Sequence, residues 1–179
     1  SGTLYLAEIS STNFYDSIIS SITNSKTITF ENLNANTPYY IRISALNFSG
    51  ISSEYETTLS TTYVAEPKLK EPTVLNLLLD GFTVQWDNNT NSTHTIYQIE
   101  VSTIDDFSII FRSTETKQTT LVFPDLTPNT IYRIRIKAKG LIPSNESDYL
   151  FLGDISTLYR EEKTINNQIR EVVSIPYSY

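Results

Sequence analysis

The sequence predicts an all-β chain built from two copies of one unit, and three observations carry that reading. The stretch Leu33 to Gly50, LNANTPYYIRISALNFSG, returns at Leu126 to Gly140 as LTPNTIYRIRIKAKG. In each copy apolar residues follow at every second position: Tyr39, Ile41, Ile43, Ala45, and Tyr132, Ile134, Ile136, Ala138. A period of 2 places such residues on one face of a strand. The opposite face is polar or mixed, with Tyr40, Arg42 and Ser44 against Arg133, Arg135 and Lys137. The flanking segments also repeat in the same order, so the duplication extends beyond one motif.

Leu126, Pro128, Thr130 and Tyr132, followed by an alternating strand ending in Ala138, resemble the fibronectin type III motif. The first copy matches with Leu33, Thr37, Tyr39, Ala45, Asn47 and Gly50, although Ala35 stands where the motif has Pro. The second copy has no Asn in the turn after the strand. The resemblance implies two immunoglobulin-like β-sandwiches in tandem, with Tyr39 and Tyr132 as corner residues whose hydroxyls bond nearby backbone. Strand letters below follow that family.

Taken in order, Tyr5–Ser10 matches Tyr97–Ser102 and reads as strand C. Lys26–Leu33 matches Thr119–Leu126 and reads as strand E, with Ile28, Phe30 and Leu33 against Leu121, Phe123 and Leu126. Strand F follows in both copies. Strand G falls near Glu54–Thr62 and Tyr149–Leu158. Ala65–Pro72 carries two prolines and alternating charge, which reads as a short stiff linker. Thr73–Leu79 and Gly81–Trp86 read as strands A and B, with Phe82, Val84 and Trp86 alternating inward. The first copy has no counterpart of strands A and B within this sequence.

The expected layout is an incomplete domain over residues 1–64 holding strands C to G, a linker over 65–72, a complete domain over 73–159, and a tail over 160–179. In the tail, Ile165, Ile169, Val172 and Val173 are spaced for one face of a helix. β-branched and aromatic residues dominate its last nine positions, which favours a strand-like tail carrying Ile169, Val173, Ile175, Tyr177 and Tyr179. These five form the candidate interface. Three fates are open for it: completing the first domain of another copy, beginning a further domain of a longer array, or folding back within the chain.

Composition excludes several function classes. There is no Cys, hence no disulfide, thiolate metal site or cysteine nucleophile. A net charge of -7 argues against nucleic acid, which calls for a basic stripe. No apolar run reaches the ~20 residues of a membrane span, and no signal peptide is legible. Ser, Thr and Asn make up about a third of the chain, which suits exposed strand faces and turns.

Residues that carry chemistry are few. His94 is the single histidine and sits in the polar loop Asp87–Thr95, with no legible nucleophile or orienting group. Asp87, Asn89 and Asn91 have the spacing that starts a calcium loop, but Ser92 replaces its Gly and Gln98 its Glu, so a hydrated turn is expected. Asn47, Asn88, Asn91 and Asn145 head glycosylation triplets. Tyr40, Tyr55, Tyr149, Tyr177 and Tyr179 are candidates for exposed interface tyrosines.

No enzyme, cofactor or metal is expected. The sequence reads as an extracellular or cell-surface structural module, of the bacterial kind that lacks disulfides. It would act as a spacer, an adhesin stalk or a fibre subunit, with protein–protein partners that include head-to-tail self-association. Two other readings are open: an accessory segment of a secreted carbohydrate-active enzyme, and a receptor-type ligand-binding module. No residue pattern supports a carbohydrate ligand, and no membrane insertion is expected.

Overall fold

The computed structural model describes residues 2–165 and 168–175. Among them every regular element is a strand and every strand pairing is antiparallel. Strands β1 (Leu4–Ser10), β2 (Ile19–Thr23), β3 (Pro38–Leu46) and β4 (Glu56–Thr61) form one sheet in the order β2-β1-β3-β4. In family letters this is C′-C-F-G.

The second unit has both layers. β5 (Lys68–Leu77), β6 (Phe82–Asp87) and β9 (Thr120–Phe123) form the A-B-E sheet. β7 (Ile96–Ser102), β8 (Arg112–Thr116), β10 (Ile131–Lys139) and β11 (Leu150–Ser156) form the sheet β11-β10-β7-β8. Between them lies one core in which Phe82, Val84, Trp86, Tyr97, Ile99, Val101, Phe123, Tyr132, Ile134 and Ile136 are buried, with Leu121 partly buried against it. Trp86 meets Tyr97 edge-on at 5.6 Å between ring centroids. Gly81 is required where the chain enters β6, since a Cβ there would lie 2.6 Å from the Phe123 carbonyl oxygen.

Two sequence expectations need correction. Lys26–Leu33 was expected as strand E, yet it forms no strand, whereas its counterpart β9 does. The reason is pairing: β9 hydrogen-bonds to β6, and the first unit has no such neighbour for this segment. The segment expected as a linker already belongs to β5 from Lys68, with Pro72 at a break in the ladder between Leu69 and Val74. Proline is tolerated at such a break because no ladder donor is needed there. The tail forms strands, as its β-branched residues favour, and not the alternative helix. β12 (Tyr159–Ile165) and β13 (Gln168–Ser174) pair with each other as a separate hairpin.

Candidate functional site

Three features could serve an interaction: the joint between the units, the inner face of the first sheet, and the C-terminal hairpin.

The joint grows from the corner before each F strand. In the first unit the Tyr39 hydroxyl accepts from Asn34 N at 3.0 Å, and in the second the Tyr132 hydroxyl accepts from Thr127 N at 2.9 Å. Both tyrosine corners expected from the sequence are therefore present. Each corner holds an Asn in the left-handed region, Asn36 at φ 48° and Asn129 at φ 52°. Asn tolerates that region better than most residues.

Asn36 is fully buried in the second unit. Its Nδ2 donates to Thr95 Oγ1 at 2.8 Å and to Lys139 O at 3.4 Å. Its Oδ1 accepts from Leu141 N at 2.6 Å. Both amide hydrogens and the oxygen are thus partnered, as burial requires. Beside it, Ala35 N donates to Thr90 O at 3.1 Å and Ser92 N donates to Ala35 O at 3.1 Å. Asn91 closes the joint by pairing reciprocally with Ala65: Ala65 N donates to Oδ1 at 2.9 Å, and Nδ2 donates to Ala65 O at 2.7 Å. The polar loop expected as a hydrated turn is instead partly a buried clasp, with Asn91 and Thr95 both buried. His94 is exposed.

The inner face of the first sheet is partly uncovered: Ala7, Ile9 and Tyr39 are buried, but the residues beside them are not. Ile43 is 41% exposed, whereas its counterpart Ile136 is 0% exposed. Tyr5, Ile41 and Ala45 are only partly buried, against full burial of Tyr97, Ile134 and Ala138. Ile9, Phe30, Leu33, Tyr39 and Ile41 line an open groove of about 200 Å³ on this face.

Of the five candidate interface residues, Val173 and Ile175 are 55% and 73% exposed. Ile169 lies on β13 opposite Thr164. Tyr177 and Tyr179 lie outside the described residues. Of the tyrosines expected at the surface, Tyr55 is 38% exposed and Tyr149 partly buried, and each stacks on an arginine. The Arg42 guanidinium sits between Phe14 and Tyr55, 4.1 and 4.3 Å from the ring centroids. Arg135 sits likewise between Phe107 and Tyr149 at 4.3 and 4.1 Å. Each Arg also bonds a carboxylate at 2.7 Å, Glu8 for Arg42 and Glu100 for Arg135. The alternation of apolar and polar residues could not reveal these stacks, because Phe14 and Phe107 come from turns. Burial and the bond to Glu100 push the Tyr149 hydroxyl above its ordinary value.

Among the described residues no three His, Cys, Asp or Glu side chains gather where they could hold a metal, and no helix is long and apolar enough to cross a membrane.

Residues 66–148 match the family model of the fibronectin type III domain. A two-domain fibronectin type III segment of chicken tenascin is similar at TM-score 0.58 and 17% identity, over 88% of this chain and 86% of that one. The FN1–FN3 domains of chicken CNTN1 align at TM-score 0.42 and 19% identity, over 88% of this chain and 56% of that chain. The chain therefore spans little more than half of that segment. No curated protein sequence matches. The second sandwich thus matches the fibronectin type III domain, and the chain as a whole has the fold of two such domains in tandem.

Proposed function

We propose that this chain is a non-catalytic, extracellular structural module, a spacer or fibre subunit, whose C-terminal hairpin covers the open sheet face of another copy. The observation that carries the reading is the exposure of Ile43 at a position where the second unit buries Ile136. An apolar sheet face of this kind is stabilised by a second layer. The hairpin has the pairing of that layer: β12 and β13 are antiparallel neighbours, as are strands A and B in β5 and β6. It follows β11 directly and presents Val173 and Ile175 to solvent. The extracellular placement rests on the family resemblance.

Deleting residues 165–179 tests the reading. Sedimentation should show mass rising with concentration for the full chain and a monomer for the truncated one, with the first unit melting earlier after truncation. A truncated chain of unchanged mass and unchanged first-unit stability would overturn it.

A further inference from the structure

The joint inside the chain uses two surfaces, and each has a second, unoccupied counterpart. We propose that the Asn129 corner of one copy seats on the loop end of the first sheet of a second copy, repeating the joint that Asn36 makes within the chain. This rests on the head-to-tail reading above for its direction, but uses different residues.

The inserting corner is reproduced atom for atom. Asn129 N donates to Leu158 O at 3.1 Å, as Asn36 N does to Tyr63 O at 2.9 Å. Thr130 N donates to Thr157 Oγ1 at 3.1 Å, as Thr37 N does to Thr62 Oγ1 at 3.0 Å. Thr157 Oγ1 donates to Thr127 O at 2.7 Å, and Thr62 Oγ1 donates to Asn34 O at 2.7 Å. The left-handed backbone that aims Asn36 into its socket is present at Asn129 too. Yet Asn129 is exposed where Asn36 is buried.

The receiving end is reproduced as well. The three socket groups are Thr95 Oγ1, Lys139 O and Leu141 N. Thr95 lies two residues before Tyr97, which pairs with Ala138; Thr3 lies two before Tyr5, which pairs with Ala45. Counting along β10 and β3 from those alanines, Lys139 and Leu141 correspond to Leu46 and Phe48. The turns that shape the two ends agree. Asn47 N donates to Ile51 O at 3.0 Å and Gly140 N to Asn145 O at 2.6 Å. Ser53 N donates to Ala45 O at 2.8 Å and Ser147 N to Ala138 O at 2.9 Å. In the first unit this end is a concavity of about 840 Å³ lined by Thr3, Leu4, Leu46, Phe48 and Ile51, with Phe48 fully exposed.

Two differences limit the repeat. The bonds of Ser92 to Ala35 O and Asn36 O have no counterpart among the described residues of the first unit. Pro128 replaces Ala35 and has no N–H, so the Ala35–Thr90 bond has no counterpart. The contact is heterologous: corner meets loop end, and each copy keeps one of each free. Such a contact extends copy by copy into an open array.

The chain has no cysteine, so introduced thiols are the only ones present. Full-length chain carrying both Thr127→Cys and Phe48→Cys, treated with a short bis-maleimide, should give a ladder of trimers and larger species; Thr127 is exposed beside the corner, so Asn129 itself stays intact. Either substitution alone should stop at dimers. The pair Thr127→Cys with Tyr15→Cys, which places a thiol on an exposed turn away from the loop end, controls for random collision. Adding Thr3→Val, which removes one socket oxygen, should reduce the ladder about tenfold. A double variant that yields no more than dimers, or no more than the Tyr15 control, overturns the proposal. If that happens while truncation at residue 164 still lowers the solution mass, the hairpin reading stands and the Asn129 contact alone fails. A ladder that truncation leaves intact, with mass unchanged, supports the Asn129 contact and sinks the hairpin reading.

Discussion

Arg42 and Arg135 occupy the same place in the two units, each between two rings and against one mostly buried carboxylate. Phe14 and Phe107 pay for this placement with left-handed backbone, at φ 61° and 57°, which is costly for a bulky residue. Stacking on a guanidinium offsets part of that strain. Arg135→Ala would leave Glu100 mostly buried and unpaired and release both rings. We expect about 3 kcal/mol of destabilisation of the second unit, read by denaturant unfolding. Tyr97 gives a pH dependence. Its hydroxyl is raised above the ordinary tyrosine value of about 10, chiefly by burial. The native state therefore holds the proton more tightly than the unfolded state does, so the stabilisation is complete below that value and is lost as pH rises above it. Melting temperature should fall above about pH 10, and Tyr97→Phe should flatten that fall.

The strand E segments separate what sequence can specify from what pairing must supply. Lys26–Leu33 and Thr119–Leu126 share their apolar spacing, yet only the second contains a strand, because only it lies beside β6. Amide hydrogen exchange should be fast across residues 27–33 and slow across 120–123. Equal protection in the two segments would contradict this account. The same contrast explains how much was legible beforehand. The fold class, the F strands, the tyrosine corners and the Trp86 core follow from alternation and from a duplicated motif, both local properties of the chain. The joint was not legible, because Asn36, Asn91 and Thr95 sit in segments whose polarity reads as solvated loop. Only the approach of the two units makes those residues interior. The hairpin was half legible: β13 has strand-forming residues, while the start of β12, Tyr-Arg-Glu-Glu-Lys, carries charges that give no alternation. The open face was foreseeable from the absence of counterparts to strands A and B, and the exposure of Ile43 gives it a measure.

At the scale of the whole molecule, one amide makes three of the hydrogen bonds that join the units. Asn36→Ala would strip partners from Thr95, Lys139 O and Leu141 N at once. Leaving such groups buried and unpartnered costs about 1–3 kcal/mol each. We expect the units to stay folded but their relative orientation to broaden, seen as a larger radius of gyration in X-ray scattering. Asn129→Ala, at the exposed corner, should leave the monomer's scattering unchanged. The hydrogen bonds of the joint are made wholly by amides, hydroxyls and backbone groups. Every ion pair among the described residues lies within one unit or within the hairpin. Neutral hydrogen bonds of this kind neither titrate nor feel the screening that weakens exposed charge pairs. The angle between the two units should therefore hold from fresh water to brine and from mildly acid to mildly alkaline surroundings, giving the same scattering curve in each.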